Sequence, residues 1–129
     1  MLFSAHGLPE KVVRRGDPYQ RQVEQTAAAI GEHLGTVDWS VCYQSRVGPL
    51  KWIGPPTDEE VIRAGADKVS VVLYPLSFVS EHSETLVELD IDYRHLASQK
   101  GVPTYVRVPA VGTHPLFIAG LARLVRDAL

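Results

Sequence analysis

Glu84, Glu88 and Asp92 recur every four residues in SFVSEHSETLVELDIDY, the stretch from Ser77 to Tyr93, just behind His82. On a helix this spacing puts the three carboxylates on one face. Acids on a solvated helix are commonly paired with Lys or Arg three or four residues on, as Asp90 is with Arg94, but these three have no such partner. Repulsion within an uncompensated acidic column is relieved where a cation visits. The helix macrodipole accounts for an acid at Glu84 but not for Asp92 further along. A solvated face and a cation path both stay open, and the missing basic partners favour the path.

The other chemistry-bearing side chains narrow the choice. His6 lies in a Ser-Ala-His-Gly-Leu-Pro loop, and an imidazole combined with carboxylates suits Fe(II), Co(II) or Zn(II) better than calcium. His82 and Glu84 form an H-x-E, but zinc deaminase chemistry needs a following P-C-x-x-C and the chain has one cysteine, Cys42. Ser45 lacks a nucleophile elbow, and Cys42 falls inside a strand as a small core residue. Gly48 to Gly54 matches neither phosphate-loop pattern, so nucleotide binding has no support. His33, His95 and His114 sit in helical or turn contexts and read as structural. Tyr19, Leu50, Trp52 and Phe78 are large side chains near the same edge, either core or the lining of a flat apolar ligand pocket.

These residues need a scaffold, and the chain supplies an alternation of strands and helices. Leu2 to Ser4 reads as a strand, followed by a loop and a helix that Asp17 and Pro18 begin and Gly35 ends, with Val23, Ala27, Ile30 and Leu34 inward. Trp39 to Gln44 is a second strand. Thr57 and Glu60 form a capping box for a short helix stopped near Gly65. Lys68 to Tyr74 is an apolar run bounded by Pro75, as expected of a central strand covered on both faces. The acidic stretch follows as a helix ending at Gly101, with Leu86, Leu89, Tyr93 and Leu96 as its buried stripe. Thr104 to Val108 is the last strand, and Pro115 starts a final helix with Phe117, Leu121 and Leu124 inward. Right-handed crossovers turn this order into an α/β sandwich, a four-stranded parallel sheet flanked by helices. Ligands gather beyond the carboxyl ends of such strands, where His6, the Gln44 to Trp52 segment and Phe78 to Glu84 would all open.

At 129 residues, 45% hydrophobic and 22% charged, the chain has the bulk of a single globular domain over 1–129. A formal charge of -2 gives no footprint for nucleic acid, and the longest apolar stretch falls well short of the ~20 residues of a membrane span. A lone cysteine excludes an internal disulfide framework and fits the cytoplasm. The first strand has almost no residues before Phe3, so the chain reads as a piece of a longer protein.

FSAHGLP, RGDPYQ, YQSRVGPLKWIGPPTDE and PLSFVSEHSETLVELDIDYR, in this order, resemble the motifs of the ferrochelatases, enzymes that insert ferrous iron into protoporphyrin IX in heme biosynthesis. The resemblance covers essentially the whole chain. It implies a two-lobed fold of Rossmann-like, chelatase-like sandwiches, with this chain as the C-terminal lobe and the N-terminal lobe as its partner. It further implies that His6 and Glu84 are catalytic and metal-binding groups facing each other across the porphyrin, with Glu88 and Asp92 a conduit along a locally widened, π-type helix. By the same resemblance Tyr19, Gln44, Leu50, Trp52, Phe78 and His82 lie near the macrocycle. Iron is substrate, no resident cofactor is required, and Cys42 alone cannot hold the iron–sulfur cluster of animal members. The implied location is cytoplasmic or peripheral at the inner membrane. Two alternatives remain, a chelatase for coproporphyrin or another metal, and a metal- or porphyrin-binding module without turnover.

Overall fold

The computed structural model describes residues 1–35 and 37–129. Its elements follow the predicted alternation: β1 (Leu2–His6), α1 (Glu10–Arg14), α2 (Tyr19–Leu34), β2 (Ser40–Gln44), α3 (Thr57–Ala66) and β3 (Val71–Pro75). A π-helix (Glu84–Asp92), α4 (Tyr93–Lys100), β4 (Tyr105–Arg107) and α5 (Pro115–Asp127) complete the order. The four strands form one parallel sheet in the order β2-β1-β3-β4. The sandwich is therefore as expected, with β1 and β3 in the middle of the sheet.

Strand side chains alternate between faces, and each face has its own core. Phe3, Ala5 and Tyr43 meet Val23 and Ala27 of α2, with Trp39 packed on Phe3. Leu2, Cys42, Val71 and Leu73 meet Val61 and Ala64 of α3, Leu89 of the π-helix and Ala97 of α4. Fully burying Leu73 or Leu89 contributes about 1.5–3 kcal/mol each. At Gly65 a Cβ would stand 2.4 Å from the Lys100 carbonyl oxygen, so α3 and α4 approach at a distance that only glycine allows.

Several local expectations need correction. Residues 10–14 form a helical turn where a loop was expected. Asp17 stands one residue further out than a cap, its Oδ1 accepting from the Tyr19 amide at 2.9 Å. Thr57 makes no side-chain cap. It is fully buried, and its hydroxyl bonds Ser4 Oγ at 2.8 Å, an inward partner that outcompetes the cap. The buried stripe of the acidic helix runs Thr85, Leu89, Tyr93, Ala97, not through Leu86, which is 47% exposed. The wider π-turn shifts the inward positions to a strict four-residue repeat.

The largest departure is α5. His114 caps it through Nδ1 and Pro115 opens it as expected, yet none of its residues is buried. Leu121 and Leu124 are exposed, as is Leu34 at the end of α2. The sheet is bare where a helix packed beside α2 would cover it: Val72 and Val106, a registered pair on the Tyr74 side, are 40% and 47% exposed. β3 is thus covered on one face only over this length.

Candidate active site

β1 ends at His6, and its neighbours β2 and β3 end at Gln44 and Pro75, so three loops leave the same edge of the sheet. The first two are tied together. Gly7 N donates to Gln44 O at 2.8 Å, Ile53 N to Leu8 O at 2.9 Å and Glu10 N to Lys51 O at 2.8 Å. A Cβ on Gly7 would come within 3.0 Å of the Gln44 carbonyl and 3.3 Å of the Trp52 ring, so Gly7 lets this loop lie against the end of β1. The third loop turns through Ser77 at positive φ and enters the π-helix at Glu84. His82 serves that entry, its Nδ1 accepting the Glu84 amide at 3.2 Å while Thr85 Oγ1 accepts the His82 amide at 3.0 Å.

At the centre of this edge His6 Nδ1 lies 2.9 Å from Glu84 Oε2, with both side chains part-exposed at 42% and 37%. An ionised carboxylate only accepts, so the imidazole donates through Nδ1 and keeps its Nε2 lone pair free. The resemblance puts the two groups on opposite sides of a ring; here they touch directly. A flat ligand between them would need about 7 Å, twice a van der Waals contact, so seating one there requires this pair to open. Tyr19 stands close by, its phenol pushed up by burial and by the Glu84 charge.

Glu88, one turn on, is held by four donors. The Ser45 amide and hydroxyl reach it at 2.7 and 2.5 Å, Gln44 Nε2 at 3.2 Å and the Tyr93 hydroxyl at 2.9 Å. Tyr93 is five residues on, a separation that a π-turn brings into reach. Ser45 and Tyr93 were not among the site residues read from sequence. The signal in the sequence that points to Ser45 is its place directly after β2, beside Gln44.

Gln44 is buried and fully engaged within the chain. At 1% exposure its amide lies beneath the π-helix, with Nε2 donating to the Glu84 carbonyl at 2.9 Å and Oε1 accepting from Ser4 at 2.9 Å. It supports both acids from below. Leu50 and Trp52 line, with Ser45, Asp58, Glu88 and Tyr93, a cavity of about 340 Å³, and Leu50 is exposed. The Trp52 indole nitrogen is buried without a partner among the described residues. Phe78 is largely buried, its ring 5.3 Å from that of His82. Asp92 lies exposed at the far end of the π-helix, without an ion pair among the described residues. No three His, Cys, Asp or Glu residues cluster as a metal site among the described residues, so His6 and Glu84 would offer a metal two ligands and leave the rest to another molecule. Cys42 is fully buried and its thiol is pushed up to about 12, first by burial, so it is no ligand for this edge.

The chain is an α/β sandwich of the chelatase-like class, with an imidazole–carboxylate pair at the carboxyl edge of its parallel sheet, backed by a second, rigidly held acid. Its fold matches a solved CbiX protein of cobalamin (vitamin B12) biosynthesis from Marinobacter aquaeolei, with a TM-score of 0.70 over 98% of this chain and 93% of that one at 17% identity. The ferrochelatase family profile matches residues 1–129. Two similar relatives are the ferrochelatases of Caulobacter vibrioides, 62% identical over the whole chain, and Phenylobacterium zucineum, 56% identical over the same extent. The chain belongs to the ferrochelatase family, and it spans 38% of the length of these two relatives.

Proposed function

We propose that the full-length protein inserts Fe(II) into protoporphyrin IX, and that His6 and Glu84 are the groups of this chain that carry the reaction. The reaction replaces two pyrrole N–H protons by one ferrous ion, so it needs a base beside ligands that release the metal. The single observation that carries the reading is the His6–Glu84 pair at 2.9 Å on the ligand edge of a ferrochelatase-family lobe. With Nδ1 held by Glu84, His6 presents Nε2 as base, taking the two pyrrole protons one at a time and passing each to solvent, and the carboxylate stabilises the imidazolium that forms in each transfer. Opening the pair frees both groups as ligands for iron in transit, which then exchanges them for porphyrin nitrogens. Asp92 and Glu88 lead along the π-helix to this point, but Glu88 is fixed by its four donors, which suits a stationary negative charge better than a swinging carrier.

Trp52, Leu50, Phe78, His82 and Tyr19 supply wall for the macrocycle. The chemistry asks for no resident cofactor from this chain. The remaining, N-terminal part of the curated relatives is the partner we assign to the bare apolar surface of α5, where Leu116, Leu124 and Val125 are 79%, 64% and 62% exposed. No helix among the described residues is long and apolar enough to cross a membrane, and a cytoplasmic or peripheral location at the inner membrane accommodates a greasy substrate.

The test is anaerobic incubation of the full-length protein with Fe(II) and either protoporphyrin IX or coproporphyrin, following the metalloporphyrin spectrum, with Co(II) and Zn(II) in parallel. Turnover preferring Fe(II) and protoporphyrin IX is expected. Binding without turnover would reduce the protein to a porphyrin-binding module, and a preference for coproporphyrin would reassign the substrate.

A further inference from the structure

Arg107 in β4 is among the most enclosed charges of the molecule, with its side chain 7% exposed. Its guanidinium reaches two acids that bracket the active segment. Nε donates to Asp90 Oδ1 at 3.1 Å and Nη2 to Asp90 Oδ2, while Nη1 donates to Glu81 Oε1 at 2.6 Å. Glu81 immediately precedes His82, and Asp90 follows Glu88 by two residues. β4 adds a third tether, the Tyr105 hydroxyl donating to the Leu89 carbonyl at 2.9 Å, and Glu81 is fixed again by the Ala110 amide at 2.8 Å. Arg94, stacked on the Tyr105 ring at 5.3 Å, also reaches Asp90 at 3.4 Å. The backbone of Arg107 is itself set by its register with Leu73 on β3.

A fork with two fixed acids has one geometry. The segment between Glu81 and Asp90 carries His82, Glu84 and Glu88, and both its ends are pinned to one strand. The π-helix is the rarer helical form, so external tethers matter more here than on an ordinary helix.

We infer that Arg107 is a positioning residue for iron insertion: by holding Glu81 and Asp90 to β4 it sets where the π-helix presents Glu84 and Glu88 to the substrate. It touches neither iron nor porphyrin. The inference rests on the proposed ferrochelatase reading, and a purely structural ion pair is the rival to exclude.

The experiment uses the full-length protein with Arg107→Lys, which keeps the charge but cannot span both carboxylates, and with the triple variant Arg107→Met, Asp90→Leu, Glu81→Gln. Replacing all members of an ion-pair cluster by neutral groups commonly preserves stability, so the triple variant removes the tether and leaves only Arg94, which is half exposed, without its acid. A misplacement of about 1 Å costs on the order of 100-fold in rate. We expect both variants to melt within a few degrees of the parent, to lose about 10- to 100-fold in kcat, and to change the porphyrin KM less than threefold. Hydrogen exchange of amides 84–92 should quicken while that of α3 stays unchanged. Full kcat in the folded triple variant, or unchanged exchange over 84–92, overturns the inference. If the parent protein itself makes no metalloporphyrin, the functional reading falls, and the exchange measurement still judges the tether.

Discussion

Replacing Gln44 by leucine removes the amide that joins the core to both acids while nearly conserving volume. Three hydrogen bonds go: Ser4 Oγ to Oε1, Nε2 to the Glu84 carbonyl, and Nε2 to Glu88 Oε2. The first two cost about 1 kcal/mol each, and the third, to an ionised acceptor, about 1.5–3 kcal/mol. The total is softened because Ser4 keeps Thr57 and Glu88 keeps Ser45 and Tyr93. Burying leucine in place of an amide returns about 1–2 kcal/mol. The net loss is about 2–3 kcal/mol, which for a chain of this size lowers Tm by roughly 6–15 °C. Urea titration of the chain should show a lower midpoint with an unchanged slope, since no additional surface is exposed on unfolding. A variant as stable as the parent would refute the reasoning, because Gln44 would then be a replaceable filler and not the keystone of a buried polar network.

Other expectations concern packing and charge. Gly65→Ala sets its Cβ against the Lys100 carbonyl, an unyielding backbone atom, and should cost about 1–3 kcal/mol or more in the same titration. Hydrogen bonds from Arg107, outweighing burial, hold the Asp90 carboxyl below its usual range. Burial pushes Glu81 up, but Thr85, Arg107 and the Ala110 amide together carry it below that range as well. Each acid therefore contributes stability that is complete above the unfolded-state value, about 4, and is lost as pH falls through the lower folded-state value. Chemical denaturation between pH 6 and pH 3 should show stability declining below about pH 4, with a shallower decline in Arg107→Met. An equally steep decline in that variant would count against the assignment.

The sandwich was legible because its signals are local: the apolar run of β3, the Gly101 cap of α4, whose φ is 77°, and the Pro115 start of α5. The acidic column was legible too, since four-residue spacing survives in either helix type, and Glu84 and Glu88 have no Lys or Arg beside them on the helix. Their partners are His6 for one and neutral donors for the other. What escaped was non-local. Thr57 reads as a cap until Ser4, fifty-three residues away, is seen to bond it. Arg107 looks like an ordinary strand residue until the fold brings Glu81 and Asp90 to it. The outward face of α5 cannot be told from a core face by periodicity alone, because amphipathicity marks that a helix is covered and not by what.

Glu84→Gln in the full-length protein tests the central claim most directly. The substitution keeps shape and a hydrogen bond to His6 Nδ1 but abolishes the charge that orients and supports the imidazole. Loss of a positioned acid–base group costs about 10²- to 10⁴-fold, so anaerobic iron insertion into protoporphyrin IX should fall at least 100-fold while Tm and porphyrin affinity stay near those of the parent. Retained turnover within a factor of a few would contradict the assignment of His6 and Glu84 as the reacting pair.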